Sequence, residues 1–502
     1  MKRRFLGPLV LVLLATVSWP TSAAVNEIVI DMGSTGISNL DQVFFGSGAE
    51  RNTLALVYET LVTFDQRMKI VPLLAESWTR DPDGVTWTFR LRRNVRFHDG
   101  TPLTASAVKF NFDRQLDPRS RSLNSPVFRD AIKEVRVVDE ATVQFVSNGP
   151  YSIFLNVLAG WGAGVACPDK VRELGEEFNR QGCGTGPYTA TAFTPGQRLT
   201  LTRHPGYWAQ RGATERFTVV SIPEEAARVA ALGRQTHIMS GVPVRQVEFL
   251  RQRGFTIVDT RPVGMLYLGM NWAQKPLDDR RVRLAIAHAI NVADLEQRVW
   301  DGNVRLYAGP QHPVLVGYNA NIQPYPHDLA KARQLLAEAG QRDLRLNFWY
   351  FPSPDNVRLG QVLQVQLKEI GVDLVPQQWE YGAYIARLAR GEQQLFVWGW
   401  TNAEADPLSP LNGIFRSTSP PLVNVARFRN TELDRVLDQI RGEFNDARRS
   451  RLIGQAVRII IGEGSHPFFY SAKNNIAHVK ELTGAEWASH GLFHMLLRAH
   501  IP

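Results

Sequence analysis

Hydrophobic and polar positions alternate from Val85 to Leu91, with Val85, Trp87, Phe89 and Leu91 apolar and Thr86, Thr88 and Arg90 polar. A period of two predicts a strand with one buried face. Asp81-Pro82-Asp83-Gly84 before it carries turn chemistry, so this strand and the segment preceding the turn form a hairpin. Near residue 28 a short apolar run, Ile28-Val29-Ile30, delivers the loop "DMGSTG", a strand followed by small polar residues. Later the spacing becomes helical. Asp328 caps a helix whose apolar face is Leu329, Ala332, Leu335, Leu336 and Ala339, with Gly340 at its end. Leu344, Leu346, Phe348 and Tyr350 then alternate as a strand. A second helix with Leu359, Val362, Leu363, Leu367 and Ile370 follows, closed by Gly371 before "VDLV". Helix, strand, helix, strand in this order is an α/β unit with a largely parallel sheet, unlike the hairpin-rich first third.

The length of 502 residues exceeds one core and predicts two or three domains. No repeat of solenoid or propeller type is visible, and 44% hydrophobic with 21% charged residues is ordinary globular composition. The net charge of +9 is spread out with no run of five or six basic residues, which gives no reason to expect a nucleic-acid partner. Lys2, Arg3 and Arg4 precede an apolar stretch from Phe5 to Trp19 and the small residues Ser22, Ala23 and Ala24. This is the pattern of a secretory signal peptide over residues 1–24, too short for a membrane span. No cysteine stands at the cleavage site to carry a lipid anchor, and the export signal predicts a soluble, periplasmic mature chain. The only cysteines, Cys167 and Cys183, are sixteen positions apart. Too few for a three- or four-cysteine zinc site, they are expected to pair in an oxidising compartment, the alternative being two thiols without contact.

Motifs for catalysis are missing. There is no G-x-S-x-G elbow, H-E-x-x-H helix, Walker-A loop or G-x-G-x-x-G turn; "GSG" at Gly46 to Gly48 and "GTGPY" at Gly184 to Tyr188 read as turns. His98-Asp99, His204 and His466-Pro467 show no adjacent nucleophile. Neither an enzyme nor a metal or cofactor is expected, although a triad built from distant segments stays open.

The run "VPLLAESWTRDPDGVTWTFRLRRNVRFHDGTPLTASAVKFNFDR" from Val71 to Arg114 resembles the signature of the extracytoplasmic solute-binding proteins of family 5, the peptide and nickel class that serves ABC importers. The resemblance continues through "GTGPYTATAFTPGQRLTLTRHPGYW", "MNWAQKPLDDRRVRLAIAHAINV", "HDLAKARQLLAEAG" and the "GW" and "DP" pairs between Gly399 and Pro407. It implies an α/β, bilobal periplasmic-binding-protein fold of the large three-domain, type II class. Lobe I would comprise residues 25–52, 183–263 and 468–502, the inserted small domain 53–182, and lobe II 264–467. Strands near Tyr267 to Asn271 and Phe468 to Tyr470 would form the hinge. The implied function is a monomeric receptor that encloses a peptide or peptide-like solute and delivers it to the importer's membrane permease subunits.

A zwitterionic solute buried in a cleft needs a carboxylate for its ammonium and an arginine for its carboxylate. The resemblance places these roles on Asp406, in "NAEADP", and Arg358, in "PDNVRLGQVLQ". Their plainer alternatives are a turn residue before Pro407 and a solvated charge in a helix's first turns. Trp398 and Trp400 alternate on one strand face, Trp400 beside Gly399 being the better cleft wall, and the helix-spaced Tyr381 and Tyr384 are further candidates. Ser34 and Thr35 match the family's first cleft loop, or are simple turn residues. The Asn-Tyr pair usual before the "N-x-E-x-D" helix start is absent, although Asn430, Glu432 and Asp434 are present. A conjugated amino acid, an opine, glutathione, an oligosaccharide or a metal chelate thus remains open beside a peptide, as does an exported hydrolase or chaperone using the same cleft.

Overall fold

The computed structural model describes residues 26–502 apart from 34–35, 46, 123, 161, 261–262, 324, 473 and 488–495. The signal segment, Ser34 and Thr35 lie outside the described residues. Two large sheets organise the chain. The first has seven strands in the order Thr256–Thr260, Asn474–His478, Ile238–Met239, Glu27–Asp31, Arg216–Val220, Arg198–Arg203 and Tyr188–Thr194. The second has six, in the order Val304–Tyr307, Phe468–Ala472, Met265–Met270, Leu395–Trp400, Leu344–Tyr350 and Val372–Gln378. The chain passes between them twice, from Thr256–Thr260 to Met265–Met270 and from Phe468–Ala472 to Asn474–His478. One boundary expected from sequence moves. Phe468–Ala472 pairs with Met265–Met270 and Val304–Tyr307 in the six-stranded sheet, so the return to the seven-stranded sheet follows Ala472 rather than residue 467.

Residues between 75 and 147 build a separate antiparallel sheet in the order Ala75–Arg80, Thr86–Leu91, Thr142–Ser147 and Ile132–Asp139. The patterned strand buries Trp87, Phe89 and Leu91 while Arg90 is exposed. The hairpin turn closes through the Gly84 amide donating to the Asp81 carbonyl at 3.0 Å. Gly84 has φ +72°, and a Cβ there would lie 2.8 Å from the Phe444 ring, so backbone and packing both require glycine. In the later α/β unit the Asp328 side chain accepts from the Lys331 amide at 2.8 Å, and Leu344–Tyr350 and Val372–Gln378 run parallel. Cys167 and Cys183 form a disulfide with Cα atoms 5.4 Å apart. No helix among the described residues is long and apolar enough to cross a membrane.

Candidate functional site

The Leu395–Trp400 strand lies inside the six-stranded sheet, antiparallel to Met265–Met270 and parallel to Leu344–Tyr350. Its alternation divides two environments. Leu395 and Val397 join the core cluster of the helices beyond the sheet, whereas Phe396, Trp398 and Trp400 face the other way. Gly399 separates the two tryptophans because a Cβ there would sit 2.7 Å from Leu266 Cδ2 and 3.1 Å from the Met265 carbonyl oxygen. Where the parallel strands end, a cavity of about 560 Å³ opens between Trp398, Trp400, Tyr381, Phe351, Met265, Tyr470 and Ser471. The carboxyl ends of parallel strands are where open α/β sheets place ligands. None of the described residues that line this cavity is charged.

Tyr381 is 53% exposed and meets Phe351 edge to face, with ring centres 5.8 Å apart. Tyr384, one helical turn further, is fully buried and its hydroxyl donates to the Val397 carbonyl at 2.5 Å. It backs Trp398, ring centre to ring centre 6.1 Å, and does not line the cavity. Helical spacing placed both tyrosines on one side without showing which of them the strand covers.

The loop after Trp400 is fixed by Asn402, whose amide donates to the Asp406 carbonyl and accepts from the Asp406 amide, both at 3.1 Å. The Asp406 carboxylate takes the Leu408 amide at 2.8 Å, at the start of the Leu408–Phe415 helix. Arg449 donates to both of its oxygens at 2.9 and 2.5 Å, and each side chain is only 6% exposed. The cation that the sequence leaves for a solute is thus supplied by the protein, and Asp406 lines neither this cavity nor the one beyond Trp400. Arg358 donates to Asp355 at 2.7 Å and lies 3.6 Å from Asp301, half exposed and outside the cavity wall.

Sequence reasoning passed over Glu404. It is 8% exposed and accepts from the Ser409 hydroxyl at 2.5 Å, while Ser409 accepts from the Trp400 indole N–H at 3.1 Å. Burial holds its carboxyl above the usual range, with Arg51 opposing that shift. The available signal was a second acid in the same "NAEADP" loop; its backbone is held by Asn156, which donates to the Glu404 carbonyl at 2.8 Å. Trp400 and Glu404 also line a second cavity, of about 550 Å³, shared with Val127, Tyr151 and Ile153.

Comparison with known proteins agrees with this arrangement. A family profile described as "Bacterial extracellular solute-binding proteins, family 5 Middle" matches residues 69–420. The glutathione-binding protein GsiB of Escherichia coli (strain K12) is 28% identical over 477 residues, 92% of each chain. Heme-binding protein A of Haemophilus influenzae is 29% identical over 444 residues, 80% of this chain and 79% of the relative. Among solved structures, the ABC transporter-associated periplasmic binding protein DppA of Helicobacter pylori, in complex with peptide STSA, superposes with a TM-score of 0.83 at 26% identity, covering 95% of this chain and 98% of that one. With a profile match over more than half of its length and the same α/β periplasmic-binding-protein fold, the chain belongs to the bacterial extracellular solute-binding proteins of family 5.

Proposed function

We propose that this family 5 protein is the receptor of an ABC importer, that it encloses a peptide or peptide-like solute against Trp398, Trp400 and Tyr381, and that it hands the solute to the membrane permease subunits. The observation that carries the reading is the aromatic-walled cavity at the carboxyl ends of the parallel strands, uncharged among its described lining residues and of a volume suited to a small organic solute. Aromatic faces hold a peptide backbone or a conjugated amino acid by area and stacking rather than by charge. The relatives' names, which include glutathione and a short peptide, support the same class. In this reading the protein binds its solute without turning it over. It works as a monomer in the periplasm after cleavage behind Ala24, and the sheet-to-sheet crossings act as a hinge between lobes.

The test is to release whatever solute copurifies, identify it by mass spectrometry, and melt the protein against peptides, amino-acid conjugates, sugars and chelates. A true solute at about 100 times its dissociation constant adds about 2.7 kcal/mol of stability and is returned unchanged. Trp398→Ala is expected to weaken binding by about tenfold or more, through a lost aromatic wall. Turnover of the solute, or full affinity in both Trp398→Ala and Trp400→Ala, would overturn the reading.

A further inference from the structure

Trp400 is a wall of two cavities. On its far side the second cavity lies between the helix that follows the "DP" pair and the inserted segment, which contributes Val127, Tyr151 and Ile153. Among the described residues, three charged ones reach it. Asp130 is paired with Arg441 at 2.6 Å, and Arg416 with Asp438 at 2.8 Å. Glu404 differs, since its hydrogen bond comes from the neutral Ser409 hydroxyl and Arg51 acts on it through space. A buried carboxylate beside apolar walls gains most from a charge-assisted donor that arrives with an apolar body.

We infer that this second cavity is a binding chamber for the cationic arm of the solute, an aliphatic or aromatic group ending in an ammonium or guanidinium, with Glu404 as its anion and the inserted segment as its apolar wall. The inference rests on the receptor reading and adds a specificity element to it. Because Trp400 Nε1, Ser409 and Glu404 form one hydrogen-bonded chain, a cation on Glu404 also steadies the wall of the aromatic cavity. The inserted segment thereby helps to choose the solute rather than only supporting the fold.

The experiment titrates the full mature protein with phenethylamine, 2-phenylethanol and 3-phenylpropionate, read by saturation-transfer NMR and tryptophan fluorescence. The amine is expected to bind about tenfold or more tightly than the alcohol, and the acid most weakly, from one charge-assisted hydrogen bond. Glu404→Gln should bring amine and alcohol together, Glu404→Asp should restore the preference, and Val127→Trp, which fills the chamber from a half-exposed helix position, should weaken both. Equal binding of amine and alcohol to the wild type, no binding of the amine, or an amine preference that survives in Glu404→Gln would each overturn the inference. If Glu404→Gln does not fold, loss of amine binding in Val127→Trp decides for the chamber and its retention decides against it. Solute capture separates the two readings. Should the wild type retain its solute yet show no amine preference, the chamber fails and the receptor reading stands; should it capture none, the receptor reading fails while the fragments still report on the chamber.

Discussion

Asp406 and Arg449, 43 positions apart, form a buried ion pair. Both side chains are nearly sealed from water, so removing either leaves a buried charge without its counterion. Asp406→Asn is expected to cost about 3–5 kcal/mol in urea unfolding, whereas Asp406→Leu combined with Arg449→Met recovers most of it. A carboxylate waiting for a solute amine would behave otherwise: Asp406→Asn would leave the empty protein nearly as stable and act on affinity alone. Glu59 offers a second test at this scale. It accepts from Tyr207 at 2.6 Å, Trp208 at 2.8 Å and Thr185 at 2.9 Å, donors that favour the anion, yet burial outweighs them and raises its pKa to about 7. Below pH 4.5 the side chain is neutral in the folded and the unfolded chain alike. Between 4.5 and about 7 the unfolded chain releases its proton while the folded one keeps it, so stability falls as pH rises, by about 3 kcal/mol in all. Unfolding of wild type and Glu59→Gln at about pH 4.5 and about pH 8 checks this, the free-energy difference between them shifting by about 3 kcal/mol in favour of glutamine at the higher pH.

Among the elements, the Leu408–Phe415 helix and the Leu395–Trp400 strand meet at a glycine. A Cβ at Gly413 would fall 2.1 Å from Trp400 Cη2. Alanine in place of glycine inside a helix ordinarily stabilises by about 0.5–1 kcal/mol, but here it must push the indole, an overpacking cost of about 1–3 kcal/mol. Gly413→Ala is therefore expected to lower the melting temperature and, by displacing Trp400, to weaken solute binding about tenfold, measured by calorimetry. The disulfide is a local clasp, and replacing Cys167 and Cys183 together by serine should cost about 3 kcal/mol in denaturant unfolding. Much at this scale was legible in the sequence, because caps, turns and alternation are written within a few residues of where they act: Asp328 before its helix, Gly84 in its turn, Trp87 and Phe89 on their strand. The lobe boundary expected before Phe468 lies past Ala472 in the sheet pairing, because the apolar run Phe468-Phe469-Tyr470 does not carry the identity of its neighbouring strands. Tyr384 and Glu404 were misjudged or missed for a related reason: their partners lie elsewhere in the chain, the strand Leu395–Trp400 for the Tyr384 hydroxyl and Asn156 for the Glu404 backbone.

The whole molecule is braced where residues between 80 and 152 touch the helices after residue 430. Arg80 lies over the Phe444 ring at 3.6 Å, and the Trp87 ring centre is 6.4 Å from that of Phe444. Arg441 bonds to Asp130, and the Ser152 amide and hydroxyl donate to the carbonyls of Arg441 and Ile440 at 2.7 and 3.0 Å. These contacts belong to the arrangement in which both cavities flank Trp400, and a hinge motion that separates the lobes would have to break them. A receptor that binds only when this arrangement forms has an apparent dissociation constant equal to the intrinsic one divided by the population of that arrangement. Phe444 lines neither cavity, so Phe444→Ala acts on the population and leaves the solute contacts intact. The expected result is an apparent affinity about tenfold weaker, carried by faster dissociation, with a larger small-angle scattering radius for the empty protein. Unchanged affinity together with an unchanged radius would mean that the brace plays no part in closure and that the inserted segment stays fixed while the lobes move.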